Sequence, residues 1–169
     1  MLRRFQWVDG HADIWRVFAD GDALGQVVAA LADPWRDQGI THVAGVESRG
    51  FLLGGAAAVA LKVGFVAIRK DGTSLLPGPT VRQIAQADYR GVRHELRMQA
   101  VLTPGDRVLL VDDWAERGSQ ARAATSLIQA CGATFAGMSI VVDMLLPQVR
   151  QELGRVTAVI HADELGPAI

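Results

Sequence analysis

The stretch from Arg107 to Ala121 constrains the fold of this chain more than any other: Arg107-Val108-Leu109-Leu110-Val111-Asp112-Asp113-Trp114-Ala115-Glu116-Arg117-Gly118-Ser119-Gln120-Ala121. Four consecutive apolar residues follow the turn signal Pro104-Gly105-Asp106. That is the pattern of a fully buried parallel strand. Two adjacent carboxylates, Asp112 and Asp113, stand where this strand is expected to run out. A short loop with one glycine then leads into an alanine-rich helix pattern from Gln120 to Cys131. Ligands of open parallel sheets bind at the carboxyl ends of strands. A loop that opens a helix also presents backbone N–H groups and a positive dipole end to an anion. The stretch therefore asks for a ligand with hydroxyls for Asp112 and Asp113 and a phosphate for Glu116, Arg117, Gly118, Ser119 and Gln120. Ribose 5-phosphate has both. A pair of aspartates can equally solvate a loop and cap the next helix; the buried strand before it and the small-residue loop after it favour the ligand.

Around this stretch the chain alternates strand and helix patterns. Residues 1–20 show Trp7, His11, Asp13-Ile14 and Trp15 but no clear element. A helix is expected from Asp20 or Asp22, either one its cap, with Leu24, Val27, Val28, Leu31 and Trp35 at helical spacing and Gly39 ending it. Thr41 to Val46 reads as a buried strand, followed by the loop Glu47-Ser48-Arg49-Gly50 and a helix from Phe51 to Lys62. Gly64 to Ile68 is the next strand, ending in Arg69-Lys70. The irregular segment Asp71 to Ala87, with Gly72, Pro77, Gly78 and Pro79, is expected to be a lid or binding loop. Val92 to Met98 reads as a flanking strand, Ala133 to Val142 as another strand, Gln148 to Leu153 as a short helix and Arg155 to Ile160 as a last strand. Such repetition predicts an α/β fold with parallel central strands.

In a parallel sheet the strand ends share one edge. Ser48 and Arg49, Arg69 and Lys70, and Asp112 and Asp113 are therefore expected to face one cleft. Cations beside an acidic pair suit a substrate with both a sugar diol and a polyphosphate, together with Mg²⁺, which prefers phosphate oxygens, water and one or two carboxylates. The formal net charge of −1 gives no reason to expect nucleic acid or a membrane surface as partner. A single cysteine, Cys131, makes no internal disulfide and reads as core. At 169 residues the simplest expectation is one domain; with no apolar h-region after Met1-Leu2-Arg3-Arg4-Phe5, it is a cytoplasmic one.

The Arg107–Ala121 stretch resembles the phosphoribosyl pyrophosphate motif of type I phosphoribosyltransferases: an apolar run, two acids, then usually Thr-Gly-Gly-Thr, where this chain has Arg117-Gly118-Ser119-Gln120. Val46-Glu47-Ser48-Arg49-Gly50-Phe51 and Gly64-Phe65-Val66-Ala67-Ile68-Arg69-Lys70 resemble the adenine branch of that family, and Leu76-Pro77-Gly78-Pro79-Thr80 its flexible loop. The likeness runs from about Ala19 to Cys131. It implies a Rossmann-like central parallel sheet flanked by helices, with a small N-terminal hood (residues 1–20) and a flexible lid loop (residues 71–91).

The same resemblance implies roles. Ser48, Arg49 and Gly50 would form the pyrophosphate loop, and Arg69 and Lys70 would contact pyrophosphate. Asp112 and Asp113 would hold ribose and, through water or ribose, Mg²⁺; residues 116–120 would hold the 5-phosphate. Asp88-Tyr89 is the nearest match to the family's catalytic Glu-Tyr pair in the lid, though a turn aspartate beside a packed tyrosine reads equally well. The family's aromatic base-stacking segment aligns His11 and Ala12 ahead of Asp13-Ile14, so that Trp15, or Trp7, is the candidate to stack on the base, with core packing as the other reading. The implied activity is transfer of 5-phosphoribose from its pyrophosphate to a purine, adenine first, by a homodimer. The alternatives are another base, or a regulatory module that binds phosphoribosyl ligands without turnover.

Overall fold

The computed structural model describes residues 7–8, 11–70, 76–85, 93–161 and 164. Its elements are β1 (Trp7–Val8), β2 (His11–Ala12), α1 (Trp15–Phe18), α2 (Gly21–Ala32), β3 (His42–Val46), α3 (Arg49–Leu61), β4 (Gly64–Lys70), β5 (Thr80–Ile84), β6 (Glu95–Gln99), β7 (Arg107–Ala115), α4 (Ser119–Ala130), β8 (Thr134–Asp143), α5 (Pro147–Leu153) and β9 (Val156–His161). Seven strands form one sheet in the order β5-β6-β4-β3-β7-β8-β9. β4, β3, β7, β8 and β9 run parallel; β6 is antiparallel to β4, and β5 to β6. The expected α/β class with a parallel centre is what forms.

Side-chain alternation along β7 sets the layers. Val108 and Leu110 enter one hydrophobic cluster, Leu109 and Val111 another, and all four are fully buried. The first cluster is closed by Ala121, Ala124, Leu127 and Ile128 of α4 and by Val149 and Leu153 of α5. The second is closed by Val27 and Leu31 of α2 and by Leu53 and Ala57 of α3. A continuous apolar run is thus required because both faces of the strand are covered. Each such leucine contributes roughly 1.5–3 kcal/mol by leaving water.

Glycine lets α3 lie close to the sheet. A Cβ on Gly45 would stand 2.1 Å from the carbonyl oxygen of Gly50, and one on Gly54 2.8 Å from the Phe65 ring. At the opposite edge of the sheet, Asp106 accepts from the Thr103 backbone and hydroxyl at 2.8 Å and from the Thr41 hydroxyl at 2.9 Å, tying the start of β7 to that of β3. These bonds hold the Asp106 carboxyl down at about 2. A buried relay joins α2 to the far strands: Trp35 Nε1 donates to Thr157 Oγ1 at 2.9 Å, Thr157 to Ser139 Oγ at 3.0 Å, and Ser139 to the Leu31 carbonyl at 2.8 Å.

Several expected boundaries change. Asp20, not Asp22, caps α2, its Oδ1 accepting from Ala23 N at 2.8 Å. That helix stops at Ala32 rather than near Gly39, because Pro34 forces a tighter 3₁₀ turn at Asp33–Trp35. The first twenty residues, read as lacking clear elements, contain the β1–β2 ladder and α1. β5 lies inside the segment expected to be an irregular loop: Thr80–Ile84 pairs with β6 as an edge strand, because tertiary pairing overrides the turn signals that precede it.

Candidate active site

β3 is the shortest of the three central strands, and its end makes the cleft. It pairs with β7 only as far as Gly45↔Val111 and with β4 as far as Val46↔Ile68. Past that point the chain turns through the cis Glu47–Ser48 peptide into α3. Arg69, Lys70, Asp112 and Asp113 therefore run beyond the end of β3 on either side of it. The expectation that the two aspartates lie after their strand is corrected here: β7 continues to Ala115, because β8 keeps pairing with it through Trp114↔Val142 and Ala115↔Asp143. The acids are strand residues whose β3 side has lost its neighbour.

Ion pairs join residues of the strand-end segments. Arg49 Nε lies 2.9 Å from Asp113 Oδ2, and Arg69 Nη2 donates to Glu47 Oε1 at 3.1 Å. Glu47 Oε2 also accepts from the Lys70 backbone N–H at 3.2 Å. Gly50 stands against the acidic pair, where a Cβ would be 3.1 Å from Asp112 Oδ1. Asp112 Oδ1 accepts from Asp113 N at 2.9 Å. Burial pushes the Asp112 carboxyl well above the usual carboxylate range; the Asp113 charge adds to this and the Lys70 charge opposes it. Arg69 Nε is buried with no hydrogen-bond partner among the described residues, and Asp113 Oδ2 is buried with the Arg49 ion pair but without a well-aligned hydrogen bond. Such atoms are costly unless a ligand meets them.

The loop 116–120 follows on the other side of the acids. Glu116 and Arg117 are exposed, Gly118 and Ser119 buried, and Gln120 half-buried. Gly118 takes a φ of +66°, a left-handed turn that swings the chain into α4 and favours glycine. Among the described residues no side chain caps α4, so its first N–H groups are available to an anion. Arg117 is tied through its carbonyl, which accepts from Arg122 Nη1 at 3.1 Å.

Other sequence candidates fare differently. Trp15 is 54% exposed at the start of α1, with its ring edge-on to Phe18 at 5.7 Å. That removes the core-packing reading for Trp15, while none of its described contacts is to the acidic pair. His11 and Trp7 have described backbone only, and Asp88 and Tyr89 lie outside the described residues. Two features went unassigned in the sequence. Glu47 holds Arg69; its signal was its place in the Glu47-Ser48-Arg49-Gly50 loop. Met144 and Leu146, 36% and 62% exposed, follow β8 as a further strand-end loop, with Met144 N donating to the Ala115 carbonyl at 2.9 Å.

Asp112 and Asp113 offer hard oxygen donors, and among the described residues no group of three or more His, Cys, Asp or Glu side chains could hold a metal. That donor set fits Mg²⁺ shared with water and a ligand's phosphates, and does not form an all-protein cage.

No protein-family model matches the chain. A curated adenine phosphoribosyltransferase from a Nocardioides species is 43% identical over 148 residues, covering 85% of this chain and 78% of that one. Among solved structures, the adenine phosphoribosyltransferase of Rhodothermus marinus superposes with a TM-score of 0.82 at 32% identity, covering 95% of each chain. The enzyme of Giardia lamblia complexed with 9-deazaadenine superposes with a TM-score of 0.84 at 28% identity, covering 95% of this chain and 94% of that one.

Proposed function

This chain belongs to the adenine phosphoribosyltransferase family, and on that premise we propose that it transfers the 5-phosphoribosyl group of phosphoribosyl pyrophosphate to adenine, releasing pyrophosphate. One observation carries the reading: an acidic pair on β7 faces the cations of β4 and α3 across the end of β3, directly before the uncapped start of α4. Asp112 and Asp113 receive the ribose diol, residues 116–120 the 5-phosphate, and Ser48 to Gly50 with Arg69 and Lys70 the pyrophosphate.

In the reaction a base nitrogen forms a bond to the anomeric carbon as the bond to pyrophosphate oxygen breaks. The leaving group takes the electron pair, the sugar passes through oxocarbenium character, and the ring N–H proton of the base is given up to pyrophosphate or water. Arg49 and Arg69 offset the growing charge on pyrophosphate, and the carboxylates of β7 lie near the positive sugar. Both arginines are held by acids in this structure, Arg49 by Asp113 and Arg69 by Glu47, so the donor's diol and phosphates take over those partners on binding. Asp112 and Asp113 would hold Mg²⁺ indirectly, and the ion would neutralise charge on the phosphate oxygens. For the base, Trp15 of the hood is the proposed stacking ring, exposed as such a ring must be; Asp88 and Tyr89, outside the described residues, remain the contacts that the family resemblance implies. The work belongs in the cytoplasm, where a multiply charged donor is retained; among the described residues no helix is long and apolar enough to cross a membrane.

A second copy of this chain is the proposed protein partner. Support comes from Leu52 and Val59 on α3, 40% and 79% exposed, which such a contact would cover.

The deciding experiment is pyrophosphate release from phosphoribosyl pyrophosphate and Mg²⁺ with adenine, guanine, hypoxanthine, xanthine, uracil and orotate. Turnover with adenine alone is expected. Turnover with another base moves the substrate, and silence across the panel with donor binding retained in calorimetry replaces catalysis by regulation.

A further inference from the structure

α5 carries none of the groups assigned above, yet it bears on the 116–120 loop from two directions. Gly118 lies so close beneath it that a Cβ there would stand 2.4 Å from Val149 Cγ1 and 3.4 Å from Leu145 Cδ2. Val149 itself is buried in the cluster beneath α4. The position of Leu145 and Val149 is set by Asp143, the last residue of β8, only 6% exposed. One Asp143 oxygen accepts from Leu145 N at 2.9 Å; the other is ion-paired with Arg150 of α5. Arg150 Nη2 then donates to the Val156 carbonyl at 2.9 Å, at the start of β9. His161, at the end of β9, also faces Asp143, with Nδ1 at 3.9 Å. The second tie runs from Arg122 of α4. Its Nε donates to Glu152 Oε2 of α5 at 2.7 Å and its Nη1 to the carbonyl of Arg117, within the loop.

We infer that α5 is the buttress of the 5-phosphate loop, with Asp143 and Arg150 as the positioning residues that set it and Arg122–Glu152 as a weaker strut. This rests on the reading of residues 116–120 as the phosphate loop. The two ion pairs differ in what they do. Asp143 is buried, so losing its partner leaves an uncompensated charge inside the fold. Arg122 and Glu152 are more exposed, with side chains 33% and 55% accessible, and contribute little to stability alone. Their use is geometric: backbone N–H groups bind a phosphate only when all point at it, and a small displacement of the donors lowers affinity steeply. None of the contacts just described is to Ser48, Arg49, Gly50, Arg69, Lys70 or Trp15, so loosening them weakens the donor selectively.

The test uses the full chain with Arg150→Lys, Val149→Ala and Arg122→Gln, each first checked for a cooperative melt; Arg150→Ala is avoided because it strands the buried Asp143 charge. For the folded variants the expected result is a rise of about fivefold to tenfold in KM for phosphoribosyl pyrophosphate, with ribose 5-phosphate bound more weakly by the same factor in calorimetry. KM for adenine and kcat stay within about twofold. Unchanged donor and ribose 5-phosphate affinities in folded variants overturn the inference, and so does an even loss across kcat and both KM values, which a merely structural role would give. Gly118→Ala, placed in the loop itself, separates the two levels. If it weakens ribose 5-phosphate binding while the α5 variants do not, only the buttress falls. If Gly118→Ala also leaves that binding unchanged, the phosphate-loop reading falls and takes the buttress with it.

Discussion

At the residue scale the site is a set of opposite charges held at close range before any substrate arrives. Asp113 meets Arg49 and Glu47 meets Arg69, while Asp112 is pressed toward its neutral form by burial beside Asp113. Replacing both aspartates, Asp112→Asn with Asp113→Asn, is expected to abolish donor binding in calorimetry while leaving a cooperative melt. The pair lies at the open edge of β7, and amides keep its shape; unchanged donor affinity would remove the ribose assignment. Asp106, at the far edge, supplies a pH dependence that belongs to stability alone. Its pKa falls from 3.8 to about 2 through the Thr103 and Thr41 hydrogen bonds, so the folded chain disfavours its protonated form. The stabilisation is fully present above the ordinary value and is lost as pH falls from about 4 toward 2. Urea midpoints of Asp106→Asn and the parent should therefore differ at pH 7 and converge below pH 4; a constant gap would mean that Asp106 titrates normally.

At the element scale, two glycines of similar appearance have opposite meanings. Gly45, in β3, faces the Gly50 carbonyl at a separation that admits no Cβ, and both partners are backbone. Gly45→Ala should cost at least about 1–3 kcal/mol in urea denaturation and weaken donor binding, because Gly50 carries the loop against Asp112. Gly55, in α3, has nothing within 4 Å of an added Cβ. Gly55→Ala should stabilise by about 0.5–1 kcal/mol through backbone entropy and helix propensity, with donor binding unchanged. Equal effects of the two substitutions would contradict the close approach of α3 to the sheet. α2 was legible because its apolar residues recur at helical spacing, and α3 because it is rich in alanine between two strand patterns. β5 was not, since its strand character comes from pairing with β6, 11 residues further along by the ranges Thr80–Ile84 and Glu95–Gln99.

At the scale of the molecule, five parallel strands bring three strand-end loops to one edge, and α4 and α5 close the sheet face opposite α2 and α3. Leu52 and Val59 leave an apolar stripe on α3 that a second copy would cover. Sedimentation should therefore give twice the chain mass, and Leu52→Glu with Val59→Glu should halve it; a parent chain that sediments as a monomer removes that partner. By itself the sequence determined the α/β class, the buried strand and the residue types at its end, because a run of four apolar residues has few places to go and the acids, the cations and the glycine lie within short, contiguous stretches. It also carried the family resemblance, which implied one site for Ser48 to Gly50, Arg69, Lys70, Asp112, Asp113 and residues 116–120. Only the tertiary structure decided that β7 runs on past its acids, that Glu47 holds Arg69, and that α5 presses on Gly118. Each of those depends on where a neighbouring strand stops or a distant helix lands, and no local pattern of side chains records the partner's length.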